Sequence, residues 1–434
     1  MIDYITVIGG GLAGCEAAWQ IAQRGIKVKL YEMKPEKYSP AHSSPDLAEI
    51  VCSNSFKSNS IENAAGLLKQ ELRLMESIII EYADYNKVPA GQALAVDREK
   101  FSCGVTERIS NNPLIQLIRQ EVTKIPAEGI VVIATGPLTS ESLSKNIQSM
   151  LGQDYLYFFD AAAPVVTSES LDMSIIFKAD RYGKGDADYL NCPMEKDEYD
   201  KFYDSLITAE VTELHGSEDR KVFEGCMPVE VMAKRGKQTL VFGPLKPVGL
   251  INSHTGKQPF AVVQLRQDNT EGTLYNMVGF QTNLKWGEQK KIFSLIPGLQ
   301  NAEFVRYGVM HRNTYINSPG LLSPVFNLKH EPRVFFAGQI TGVEGYVESV
   351  SSGLIAGINA VKAFNGQEMS AFPRQTVAGA LASYVSSDAI SKFQPMNANF
   401  GIVPKPELKV GKDKRNSLIA EISIKYINKL KNEI

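Results

Sequence analysis

Gly9, Gly11 and Gly14 form the spacing G-x-G-x-x-G. Three glycines so placed can bring backbone N–H groups against a pyrophosphate. Gly9 permits a tight turn, Gly11 lets the backbone approach the phosphates, and Gly14 lets a helix pack closely on a strand. The anion would sit on the free N–H groups of the helix N-terminus, with Gly10, Leu12 and Ala13 completing the loop. Glu32 lies 23 residues after Gly9, where a carboxylate can accept hydrogen bonds from a ribose. The elements that must hold these residues are legible too. Tyr4-Ile5-Thr6-Val7-Ile8 reads as a buried strand, a helix follows to about Arg24, Gly25 ends it, and Lys27 to Tyr31 is a second strand closed by Glu32.

A second kind of chemistry is thiol chemistry. The five cysteines are Cys15, Cys52, Cys103, Cys192 and Cys226. No C-x-x-C pair occurs, which argues against structural zinc, other metal sites and a disulfide framework, and suits a reducing cytoplasm. A lone cysteine is more often a small buried hydrophobe than a catalyst. Cys15, one residue past the glycine motif, reads as structural, and Cys103 and Cys192 as bystanders. Cys226 follows Gly225 and precedes Met227-Pro228, an irregular setting that a nucleophile can use. Cys52 lies in a polar Ser/Asn loop.

Two later segments decide which dinucleotide is expected. Val131-Val132-Ile133-Ala134-Thr135-Gly136 is a strand ending in Ala-Thr-Gly. Val334-Phe335-Phe336-Ala337-Gly338-Gln339 is a strand handing over to a helix. Both resemble the later signatures of two-dinucleotide-binding flavoproteins, so FAD is expected rather than NAD alone. The fold class that follows is α/β, a Rossmann-like FAD-binding domain with an inserted α+β domain. The FAD-binding domain is expected over 1–185 and 299–434. The insertion is expected over 186–298, where charged and aromatic residues mix with short apolar runs. Residues 64–82 have helical periodicity, with Leu67, Leu68, Leu72, Met75 and Ile79 on one side.

Three blocks bring a family into view: Cys52-Ser53-Asn54-Ser55-Phe56-Lys57-Ser58, Phe223-Glu224-Gly225-Cys226-Met227-Pro228 and Gly342-Val343-Glu344-Gly345-Tyr346-Val347-Glu348-Ser349. With Val88 to Gly91, Ala93 to Arg98, His311 to Thr314 and Phe393 to Asn397, the chain closely resembles the folate- and FAD-dependent tRNA uridine-5-methyltransferase family from Tyr4 to about Pro404. The resemblance implies that a methylene from methylenetetrahydrofolate, reduced with electrons from FAD, becomes a methyl on the T-loop uridine of tRNA. It implies Cys226 as nucleophile and Cys52 as a second functional cysteine, for proton removal or for shielding a reactive flavin species. Gly345 and Tyr346 join the cofactor residues. His311 and Tyr346 are candidates to stack on the pterin, His311 having a surface role as its alternative. Arg98 either supports the flavin or makes a structural ion pair. A second nucleotide fingerprint for NAD(P)H is missing, so that reductant would use a transient site.

Composition restrains these readings. Lys plus Arg is 46 and Asp plus Glu 48, a net charge of −2, so RNA must be met by a local basic surface. Lys234, Arg235 and Lys237 form one such cluster and Lys285, Lys290 and Lys291 another; each reads equally well as a solvated face. No signal peptide or membrane-length apolar run is seen, and no obligatory protein partner is inferred. The rival readings are the same chemistry on large-subunit ribosomal RNA and the longer family that builds carboxymethylaminomethyl groups on anticodon uridines. A flavin disulfide reductase and a non-catalytic FAD module are the others.

Overall fold

The apolar run Tyr4–Ile8 is buried because it is the central member of five parallel strands. The order is Val334–Phe336, Val131–Ile133, Tyr4–Ile8, Lys27–Glu32, Ile115–Arg119. Tyr4 faces Lys27 and Thr6 faces Val131 across the two central pairings. Parallel pairing requires crossovers, and helices cover the sheet. The structure is a computed structural model that describes residues 2–183, 186–212, 227–390, 392–406 and 411–434.

The helices Leu12–Gln23 and Tyr346–Phe364 pack backbone to backbone. A β-carbon on Gly353 would lie 2.2 Å from the Ala13 carbonyl oxygen, and one on Gly357 would lie 2.8 Å from that of Ala17. Small residues on both faces are therefore obligatory. Nothing larger would let both N-termini reach the same edge of the sheet.

The chain leaves this body through Leu156–Ala161 and returns through Met310–Tyr315, which pair antiparallel with His311 opposite Asp160. We take this ribbon as the stalk of the insertion, which then runs over 162–309. Its six-stranded sheet has the order Phe177–Lys178, Leu190–Met194, Ala261–Gln267, Leu274–Met277, Val165–Thr167, Phe304–Arg306. A separate core of Val166, Tyr199, Phe202, Phe280 and Phe293 fills it. The expected limits at 186 and 298 cut through this sheet, leaving three of its strands outside. Val165, Val166 and Phe177 are as apolar as any buried strand of the first domain, so no composition shift marks the boundary.

The periodic stretch 64–82 is two helices, Ala64–Leu74 and Ile78–Tyr85. Glu76 takes a positive φ of 60° and Ser77 restarts the helix, its side chain accepting from Ile80 N–H. The first of these helices holds the C-terminal region in place through Glu71. Its carboxylate accepts from the N–H groups of Val377 (2.7 Å) and Ala378 (2.9 Å) and from the Ser423 hydroxyl (2.5 Å). Those donors belong to the helices Val377–Val385 and Lys412–Lys431. Each buried donor left without a partner costs roughly 1–3 kcal/mol. Glu71→Ala should therefore destabilise the protein by about 3 kcal/mol or more, read as a lower urea midpoint. An unchanged midpoint would remove Glu71 from this role.

Candidate functional site

The glycine turn is built for close approach on one side and left open on the other. Gly9 has φ +103°, and a β-carbon there would sit 2.5 Å from the Ala134 carbonyl oxygen. A β-carbon on Gly14 would sit 1.8 Å from the Gly9 oxygen. Gly11 is different: its backbone is extended, and a β-carbon would meet nothing within 4 Å. The space in front of it is a cleft holding about 1720 Å³ of empty volume, its open mouth included. Glu32 is held at the cleft wall, accepting from Gly10 N–H (2.8 Å) and Lys34 N–H (2.9 Å). Each carboxylate oxygen keeps a lone pair for a ribose hydroxyl. Loop, helix N-terminus and acid fit a dinucleotide.

All the residues singled out for cofactor binding line this one cleft except Gly14. They are Gly9, Gly10, Gly11, Leu12, Ala13, Glu32, Thr135, Gly136, Gly338, Gln339, Gly345 and Tyr346. Gly14 packs against the turn instead and supports the site from behind. Gly338 and Gly345, at φ +83° and +117°, shape the bends before the helix Tyr346–Phe364, whose N-terminus points its partial positive charge into the cleft.

At the far end Cys52 and Tyr346 meet, 294 residues apart in sequence. The phenol oxygen accepts from the N–H groups of Cys52 (3.0 Å) and Ser53 (3.3 Å), and the Cys52 Sγ lies 3.0 Å from it. With two N–H groups already on that oxygen, its hydrogen is the one left to point at sulfur. The Tyr346 ring tilts against Phe56 with centroids 5.6 Å apart. Tyr346 thus holds the Cys52 loop and also lines the cleft. Burial, then the charge of Asp160, push the Cys52 thiol up to about 11.

Sequence reasoning missed the charges around this thiol. Glu344 is buried, accepts from the Gln339 amide at 2.6 Å, and is held well above the usual carboxylate range by burial and by Asp160. Asp160 and His311 face each other across the ribbon and both line the cleft. Burial lowers His311, so its imidazole is neutral. His42, 2.5 Å from the Ser39 hydroxyl and likewise lowered chiefly by burial, lines the same wall. The glycines flanking Glu344 were the available signal, since they let the chain bring that carboxyl against the cleft.

The Cys52 loop is stitched to the insertion. Arg266 donates to the Asn54 side chain (2.9 Å) and to the Ser53 hydroxyl (2.8 Å), and Arg306 to the Val51 carbonyl (3.2 Å). Arg98 pairs with Asp268 at 2.9 Å and does not line the cleft, so of its two readings the ion pair is the one seen. Cys15 and Cys192 are buried, Cys15 bonding to the Gly10 carbonyl. Cys226 lies outside the described residues. Lys234 ends the helix Val229–Lys234, with Arg235 next to it. Lys237 is engaged by Asp200 at 2.9 Å, which weakens its claim to an RNA phosphate.

A family model described as glucose inhibited division protein A matches residues 4–368. Among curated relatives, a methylenetetrahydrofolate–tRNA-(uracil-5-)-methyltransferase TrmFO from Acetivibrio thermocellus is 63% identical over 98% of this chain and 98% of its own. One of the same name from Desulforamulus reducens is 60% identical over 98% and 96%. The chain belongs to the TrmFO family. The GidA of Aquifex aeolicus superposes with a TM-score of 0.73 at 17% identity, covering 99% of this chain and 73% of that one. At that identity the likeness is one of fold, the Rossmann-like α/β architecture described above.

Gly11→Val should fold normally yet lose the dinucleotide, because its side chain projects only into the cleft. Gly14→Ala should fold poorly or lose about 3 kcal/mol, the upper range for overpacking. Flavin content and urea midpoints separate the two. For Cys52, alkylation by iodoacetamide, followed at its peptide by mass spectrometry, should keep rising with pH towards about 11. Tyr346→Phe removes the hydroxyl beside sulfur and should push the rise higher still. A plateau near about pH 8.5, the ordinary thiol range, would contradict this environment.

Proposed function

We infer that this protein methylates carbon 5 of a tRNA uridine, in the T loop, using methylenetetrahydrofolate as carbon donor and FAD as its resident cofactor. What carries the reading is identity of 56–63% over nearly the full length to relatives named for that reaction, joined to a cleft that fits a dinucleotide. NAD(P)H is the reductant this scheme requires. A ribosomal RNA target is not favoured, since the relatives' names specify tRNA.

Bound FAD supplies the two electrons that convert a methylene into a methyl. The chain's own residues do the rest. Uracil carbon 5 is a poor nucleophile until a thiolate adds at carbon 6, and Cys226 is the residue assigned to that addition. Expulsion of the same thiolate, with loss of the carbon 5 proton, restores the ring. Cys52 suits a different task. Its thiol is protonated at neutral pH, so it can hold or pass a proton at the cleft's inner end. His311 offers a neutral, flat face to the pterin. Lys234 and Arg235 are offered as phosphate contacts, with Lys237 secondary.

Label placed on the methylene of the folate should enter the uridine methyl with consumption of NADPH. Cys226→Ala should abolish transfer while the protein remains yellow. Label arriving from S-adenosylmethionine with folate dispensable would overturn the function and leave the flavoprotein fold standing.

A further inference from the structure

Trp286 begins the helix Trp286–Phe293 and is 63% exposed, an unusual position for the largest apolar side chain. It is one end of a ladder of rings. Its indole stacks on Tyr307 at 5.5 Å and 13°, and Tyr307 stacks on Phe304 at 5.4 Å and 15°. Phe304 in turn meets Phe293 in the insertion's core, centroids 6.3 Å apart. The ladder is thus rooted in packed structure, while the outer indole face is left for a further flat ring.

The surroundings specify what that ring carries. A shallow cavity is lined by Trp286, Gly287, Lys290, Lys291, Ser294 and Tyr307. Gly287 keeps it open, for a β-carbon there would meet nothing within 4 Å. Lys290 makes no ion pair among the described residues, whereas Lys291 pairs with Glu288 at 3.3 Å and Lys285 with Glu210 at 2.6 Å. An open aromatic face beside an uncommitted ammonium matches a flat base followed by a phosphate.

The patch is close to the chemistry. Gln289 accepts from Gly308 N–H and donates to its carbonyl, both at 2.8 Å, fixing the helix to the connection that leads into the strand carrying His311. Tyr307 precedes His311 by four residues, at most about 14 Å of extended chain. The described residues Thr212 and Val229 are both held by the segment that leads into this helix, Thr212 N–H on the Asn283 carbonyl and Val229 N–H on that of Gln281.

We propose that Trp286, backed by Tyr307 and Phe304, is a stacking platform for an unpaired nucleotide of the RNA substrate, with Lys290 holding its phosphate. The site rests on the RNA-modifying function inferred above. The platform reads no particular base, because every base has a π-face. It holds an unstacked loop nucleotide at a fixed distance from the cleft and so favours loops over paired stems.

The test uses the FAD-loaded full-length protein and an RNA stem-loop with the target uridine in its loop. Trp286→Ala should weaken binding about 5- to 150-fold, the range for losing one stacked base. Trp286→Phe should retain much of the affinity. Lys290→Ala should reduce the log–log salt slope by about 0.7–0.9. Only two tryptophans exist, and Trp19 is 5% exposed. RNA should therefore quench an emission that disappears in Trp286→Phe. Methylation should show a raised KM for RNA with kcat preserved. Flavin content and thermal midpoint check each variant's fold. Wild-type affinity in both Trp286→Ala and Lys290→Ala would overturn the platform, as would a dimer that Trp286→Ala splits without changing RNA binding. A wild-type protein that binds no RNA would overturn the inferred function as well.

Discussion

The carbonyl oxygen of Gly9 occupies the place where a side chain on residue 14 would begin, 1.8 Å from that missing β-carbon. Much of the molecule follows from this contact. Because residue 14 is glycine, the helix Leu12–Gln23 lies directly on the turn and its free N–H groups face the sheet edge. Gly353 and Gly357 repeat the device against Ala13 and Ala17, so the helix Tyr346–Phe364 comes in equally close. Two helix N-termini then converge on one cleft, and both favour negative charge there. A pyrophosphate at the first and electron-rich ring atoms near the second are natural occupants.

The other end of the cleft depends on a different constraint, the seam between the two domains. The loop carrying Cys52 is held by Arg266, Arg306 and the Arg98–Asp268 pair, with Arg266, Asp268 and Arg306 at the ends of strands of the inserted sheet. Buried ion pairs add little net stability over apolar packing, but breaking one strands a charge, so they specify geometry strongly. The seam therefore fixes Cys52 relative to Tyr346 only when both domains are in place. This couples the thiol's position to the domain expected to meet RNA.

Local signals were legible and non-local ones were not. The βαβ unit, its glycines, Glu32 and the later strand ends stood out because each combines residue type with short-range spacing. Gly25 ended its helix as glycine past a C-terminus does. The ribbon taken here as the insertion's stalk carries no local signature, since its pairing spans some 150 residues. The break at Glu76 was missed because Leu, Met and Ile keep helical periodicity across it. Glu344, His42 and Arg266 were unassigned for the same reason: their meaning arises from neighbours distant in sequence. The rings at 286, 304 and 307 likewise form a ladder only once a helix and a strand are docked.

The protonation state of the cleft bears on how labour is divided between the cysteines. Adding sulfur to a pyrimidine requires a thiolate, and Cys52 is poorly placed to become one. Burial raises it, and Asp160 and Glu344 raise it further, outweighing the help of Tyr346 and Arg98. The same burial keeps Glu344 protonated and His311 neutral. An end of a cleft so arranged resists gaining net charge and retains protons, a setting for delivering a reduced carbon with water excluded. The thiolate is then left to another cysteine. The insertion is where the proposed nucleophile Cys226 belongs in sequence. Carbon 6, where the thiolate adds, is bonded to carbon 5, where the methyl arrives, so the nucleophile and the reduced carbon must meet over one uracil ring.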